Sequence, residues 1–154
     1  LYEGTSKNLK SYDIIPLLFI SLTIIAGTFV SGMDAGLVYN TFPYMGDGII
    51  PIEYGNLGFI DPFENPVTAQ FHHRLLASIT LIIIIIYSIL YIIRNPINLR
   101  ILLLLFAIVC QFIIGIFTLL YSVPITLGAM HQFGGVLLFL SSIWLLHYPR
   151  NKTF

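Results

Sequence analysis

Gln70-Phe71-His72-His73-Arg74 opens an apolar run that lasts to Ile93, and the reading of that stretch decides the fold. From about Val67 or Phe71 to Ile93 there is enough chain to cross ~30 Å of hydrocarbon at ~1.5 Å per helical residue. The middle of the run, Leu81 to Ile86, is apolar on every side, as a partly lipid-facing helix requires. Histidine is costly inside a bilayer, so an ionisable residue at membrane depth is by default a functional-site candidate whose partner must be found. The counterpart here is Met130-His131-Gln132, just inside the start of another apolar run.

Composition agrees with a membrane setting. Of the 154 residues 57% are hydrophobic and 9% charged, against about 25% charged in a soluble domain. The formal net charge is zero, so no nucleic-acid or acidic partner is expected. The single cysteine, Cys110, cannot form an internal disulfide or a redox pair. The chain begins at Leu1, and Lys7 and Lys10 are far from any small-residue cleavage site. A piece of a longer protein is expected rather than a signal peptide.

Working outward from the histidine stretch, a first apolar run spans about Ile14 to Gly32, with Pro16 in its opening turn, where a missing N–H costs little. Thr23, Gly27 and Ser31 recur at four-residue spacing and should face other helices rather than lipid. Between Ser31 and Pro66, Gly and Pro alternate and exclude a long regular helix. Tyr39, Phe42, Tyr44 and Tyr54 suit the headgroup level. A segment this long and aromatic reads as a lid over a site. Beyond Arg94-Asn95-Pro96 a third run spans about Leu99 to Tyr121, with Gln111, Gly115 and Thr118 on one face. Ser122-Val123-Pro124 is a tight turn, and a fourth run spans about Ile125 to His147.

The expected fold is therefore an all-α membrane protein, a four-transmembrane-helix bundle with a long outer loop between helices one and two. Lys7, Lys10, Arg94, Arg100, Arg150 and Lys152 fall on one side, while Asp34, Asp47, Glu53, Asp61 and Glu64 lie in a loop free of Lys and Arg on the other. Basic residues mark the inner face, so both termini are expected inside, in a multi-pass protein of a bacterial plasma membrane or mitochondrial inner membrane.

In this topology His73 and His131 lie within roughly two turns of the outer ends of parallel helices. Two imidazoles at one depth can clamp a haem iron between facing helices of a bundle. Gly128, Gly134 and Gly135 near His131, and Ala77 near His73, would leave room for a macrocycle; close helix packing is the alternative use of such small residues. Zinc is disfavoured because third and fourth ligands are missing at that depth. Arg74 could pair with a haem propionate, snorkel to the headgroups or pair with Glu64. His72 points about 100° away from His73 and reads as interfacial. His147 reads as an anchor at the inner end of the fourth run.

Gly32-Met33-Asp34-Ala35-Gly36-Leu37-Val38-Tyr39-Asn40-Thr41-Phe42-Pro43, Gln70-Phe71-His72-His73-Arg74 and His131-Gln132 together resemble the second half of the haem A synthase family. The resemblance covers nearly the whole chain, and the loop motif is its most distinctive part. It implies a two-half protein, each half a four-helix unit with a histidine pair, that oxidises a methyl group of haem O to the formyl group of haem A for terminal oxidases. The family's first half carries a catalytic glutamate three residues before its helix-two histidine. Gln70 stands at that position here, and an amide cannot take a proton.

The resemblance therefore implies that residues 1–154 form a single four-helix domain holding a resident haem b. His73 and His131 would be the iron ligands, Arg74 and Gln70 would contact the cofactor or its ligands, and no residue of this half would be catalytic. The absence of a cysteine pair in the loop resembles the mitochondrial and alphaproteobacterial branch. The partners implied are the N-terminal half of the same protein, with haem O bound there, membrane lipid, and haem O synthase or a second copy of the chain. A stand-alone b-type cytochrome carrying electrons is the rival reading.

Overall fold

The computed structural model describes residues 11–147. A single turn of 3-10 helix at Ser11–Ile14 leads into α1 (Ile15–Gly32). A long loop follows, with 3-10 turns at Ala35–Leu37 and Gly58–Ile60, and ends in the short α2 (Asp61–Glu64). Then come α3 (Pro66–Arg94), α4 (Leu99–Leu120) and α5 (Ile125–Leu146). Of these, α1, α3, α4 and α5 are long and apolar enough to cross a membrane, so the protein is an all-α, four-helix membrane bundle. The bounds follow from local chemistry. Pro16 sits in the first turn of α1, and Asn65 and Asn98 cap α3 and α4 by accepting from Val67 N and from Arg100 N and Ile101 N. Each cap satisfies backbone donors that the first helical turn leaves open.

The helices form a ring in which α1 packs mainly on α3 and α4 mainly on α5, with α3 also against α4 and α1 against α5. Hydrogen bonds fix the antiparallel register. Thr23 Oγ1 lies 2.7 Å from Thr80 Oγ1, and Tyr87 OH donates to Asp13 Oδ1 at 3.1 Å. On the other pair, Thr118 Oγ1 donates to the Leu127 carbonyl at 3.2 Å and Arg100 Nη1 to that of Trp144 at 2.8 Å. Such bonds matter because lipid is as apolar as leucine and supplies no hydrophobic drive between helices.

The apolar core, which includes Ile20, Ile84, Ile101, Leu104, Ile108 and Leu138, fills the end of the bundle near the Asn95–Asn98 turn. The opposite end, beneath the loop, holds both histidines. Thr23 and Gly27 face α3 as their spacing predicts, whereas Ser31, at the end of the same stripe, is exposed. Arg94 and Arg100 flank one turn, as the topology requires. Lys7, Lys10, Arg150 and Lys152 lie outside the described residues.

The loop is a folded lid. Asp61, buried, accepts from Gly55 N and Leu57 N at 2.9 Å each, from Asn65 Nδ2 at 2.9 Å, and from the Thr68 hydroxyl. Burial opposes its ionisation, but the bonds from Thr68, Asn65, Leu57 and Gly55 outweigh that and hold the carboxyl well below the usual carboxylate range. Asn65 Nδ2 also donates to the Glu53 carbonyl at 3.0 Å. Tyr39 OH donates to the Glu53 carboxylate at 2.9 and 3.1 Å, and that bond, with burial and the negative charge, raises the phenol's pKa. Asn40 Nδ2 reaches across to the Leu119 carbonyl at 2.9 Å and ties the lid to the end of α4.

Candidate functional site

His73 comes seven residues after the start of α3 and His131 six after the start of α5. Both are therefore about 10 Å below the lid end at ~1.5 Å per residue. These two helices are diagonal in the ring, so the rings meet across the bundle axis, with centroids 6.3 Å apart and planes at 84°.

Each ring is seated against the long helix that precedes its own. His73 Nδ1 lies 3.2 Å from the Thr23 carbonyl of α1, and a Cβ built on Gly27 would come within 3.1 Å of its Cε1. His131 Nδ1 lies 3.1 Å from Gln111 Nε2 of α4, and a Cβ on Gly115 would come within 2.8 Å of its Cε1. Gln111 Nε2 also donates to the His131 carbonyl at 2.7 Å. Among the described residues neither Nε2 has a hydrogen bond.

The glycines divide differently from the expectation. Gly134 and Gly135 lie against the Gln111 amide, and Gly128 meets Val123. They make room for protein rather than for a flat ligand. Gly27 and Gly115 are the positions where the histidine rings need the missing side chain. The sequence flags both as small residues on shared faces, but their opposition to histidine comes only from the bundle.

Arg74 donates through Nη1 to the carbonyls of Thr41 at 2.9 Å and Tyr44 at 3.4 Å, and through Nη2 to that of Tyr39. Gln70 Nε2 donates to the same Tyr39 carbonyl at 3.0 Å. Both side chains thus pin the lid to α3, a role the sequence does not signal because their acceptors are backbone. Arg74 Nε and Gln70 Oε1 remain buried without a partner among the described residues. His72 stands apart, with its Nε2 3.3 Å from Tyr54 OH beneath the lid, and His147 Nδ1 lies 2.9 Å from the Ile143 carbonyl at the far end of α5. Among the described residues no three His, Cys, Asp or Glu side chains gather to hold a metal ion.

Comparison with known proteins is consistent across its findings. Residues 3–143 match the family model described as cytochrome oxidase assembly protein, COX15-CtaA. Similar proteins named haem A synthase include one from Wolbachia pipientis subsp. Culex pipiens (strain wPip), 39% identical over 149 residues, covering 96% of this chain and 44% of the relative. Another, from the Wolbachia of Brugia malayi (strain TRS), is 41% identical over 147 residues, covering 92% and 42%. A third, from Rickettsia bellii (strain OSU 85-389), is 39% identical over 146 residues, covering 92% and 43%. The chain spans less than half the length of these curated relatives. No solved structure matches.

Proposed function

Because the chain belongs to the cytochrome oxidase assembly protein family, COX15-CtaA, we propose that it is the cytochrome half of a haem A synthase. In this reading residues 1–154 form one domain that holds haem b between His73 and His131. The oxidation of the haem O methyl group to a formyl group takes place in the other half of the complete protein. The observation that carries the reading is the diagonal histidine pair, with both Nδ1 atoms engaged and neither Nε2 hydrogen-bonded among the described residues.

The residues fit the group. His73 and His131 would hold the metal through ring nitrogens at about 2.0 Å each, which needs the two rings close together across the bundle. The rings here stand at 6.3 Å. Arg74 Nε, buried and unpartnered, is a spare charged donor for a propionate. A haem held by His73 and His131 would supply one-electron transfer. The Thr23 carbonyl orients His73, Gln70 and Arg74 hold the lid closed over the pair, and Gln70, lacking an ionisable proton, keeps acid–base chemistry out of this half.

The membrane is a bacterial plasma membrane or mitochondrial inner membrane, with both termini inside. The partners are the N-terminal half with its haem O, surrounding lipid, and haem O synthase or a second copy. Absorption and electron paramagnetic resonance of the purified complete protein test the ligand assignment. His73→Ala and His131→Ala should each abolish the six-coordinate low-spin signal of the second haem, and His72→Ala and His147→Ala should leave it. Retention of that signal in either of the first two variants refutes the assignment. A chain that carries the haem and electrons but restores no haem A output beside the other half would instead be a stand-alone b-type cytochrome.

A further inference from the structure

The helical turn at the far end of the lid is amphipathic in the opposite sense to a surface in water. Ile60 (φ −87°, ψ −7°) and Asp61 (φ −50°, ψ −44°) both have helical backbone angles, so the 3-10 turn Gly58–Ile60 runs into α2 (Asp61–Glu64) without a break. At about 100° per residue Phe59, Ile60 and Phe63 share one side of this stretch and Asp61 lies on the other. The apolar side faces out. Phe59 is 98% exposed, Phe63 60% and Ile60 50%, while Asp61 is 2% exposed. Bonds from Gly55 N, Leu57 N, Asn65 Nδ2 and the Thr68 hydroxyl turn the Asp61 carboxylate inward. Glu64, exposed, stands only at the edge of the apolar side.

That side continues the membrane-spanning surface. Phe63 packs edge-on against Phe29 of α1, with ring centroids 5.6 Å apart and planes at 66°. Phe29 comes three residues before the end of α1, about 4.5 Å along the helix axis, and its side chain leans back towards the middle of the helix. The apolar turn thus stands beside a membrane-crossing helix, at the level where interfacial elements enter the boundary between headgroups and acyl chains by ~5–10 Å. Charge selects the kind of surface. Residues 31–66 carry five acids and no Lys or Arg, so an anionic leaflet repels the lid and apolar burial is the attraction on offer.

We propose that Phe59, Ile60 and Phe63 are the lid's membrane foot, seated in the headgroup and acyl boundary of the leaflet on the lid side, and that this foot takes zwitterionic rather than anionic lipid. The lid is then held from two directions. Asn40, Gln70 and Arg74 tie its near end to the bundle, and lipid holds its far rim. Nothing in this seating depends on what His73 and His131 hold.

Site-directed spin labelling of the complete protein in phosphatidylcholine nanodiscs tests it, with every other cysteine replaced by serine. A nitroxide at Phe59→Cys should be several-fold more accessible to oxygen, which concentrates in hydrocarbon, than to a water-soluble nickel chelate. At Asp47→Cys, exposed on the Met45–Gly48 turn, that preference should reverse. Phe59 is almost wholly exposed, so a label there leaves the fold intact, and Ile60→Cys gives an independent reading of the same face. Nickel access at positions 59 and 60 equal to that at 47 overturns the proposal, because the turn then stands in water. An immobilised label shielded from both reagents also overturns it, because protein then covers the turn, either a second copy or the other half of the complete chain. In phosphatidylglycerol nanodiscs the oxygen preference at position 59 should be no greater. A several-fold increase there overturns the choice of zwitterionic lipid.

Discussion

Replacing Asn65 by alanine should loosen the lid without unfolding the bundle. The Asn65 side chain makes three hydrogen bonds: Oδ1 accepts from Val67 N at 3.0 Å, and Nδ2 donates to the Glu53 carbonyl at 3.0 Å and to a carboxylate oxygen at 2.9 Å. Losing a helix N-cap costs about 1 kcal/mol. The two remaining bonds are worth about 1 kcal/mol each, so the total is about 3 kcal/mol. At ~1.4 kcal/mol per factor of ten, the open lid should become roughly 100-fold more populated. Amide hydrogen exchange reads this directly at Gly55 and Leu57, whose N–H groups are held by the Asp61 carboxylate. Both should exchange about a hundred times faster in the variant, while amides around Ile101, Leu104 and Ile108 in the buried core keep their wild-type rates. Acceleration below about threefold would show that the lid is held elsewhere. Equal acceleration in the core would show that lid and bundle open as one unit.

The Asp61 carboxylate makes the same latch pH-dependent. Its folded-state pKa lies below the ordinary aspartate value of about 3.8, so its stabilisation is fully present above about pH 4 and is lost as pH falls further. Exchange at Gly55 and Leu57, corrected for intrinsic rates, should therefore accelerate in acid, and Asp61→Asn should remove that dependence. A topology reporter fused after Tyr54 should lie outside and one fused after Asn95 inside; an external reporter after Asn95 would break the four-span arrangement that aligns the histidines. Gln70→Ala in the complete protein should keep the second haem and much of the haem A output, because among the described residues its amide bonds only the Tyr39 carbonyl. A loss as severe as that from removing the first-half glutamate would overturn the division of roles between the halves.

The sequence by itself determined the spans. The runs expected at about 14–32, 67 or 71 to 93, 99–121 and 125–147 correspond to helices at Ile15–Gly32, Pro66–Arg94, Leu99–Leu120 and Ile125–Leu146. In hydrocarbon every backbone polar group must be satisfied within the segment, so an apolar run of about twenty residues has little choice but helix. The matched depth of His73 and His131 was legible for the same reason: residue count converts directly to depth along a helix.

Tertiary structure alone decided what each side chain meets. Helical spacing groups Gln111 with Gly115, and Thr23 with Gly27, but it does not say which helix lies opposite or that both faces receive a histidine. Gln70 and Arg74 look like cofactor contacts by type, yet most of their bonds go to carbonyls of Tyr39, Thr41 and Tyr44. Every residue carries a carbonyl, so residue type cannot reveal such an acceptor. It is presented only where the chain turns, and that turn is set by a buried carboxylate and its donors at the far end of the lid.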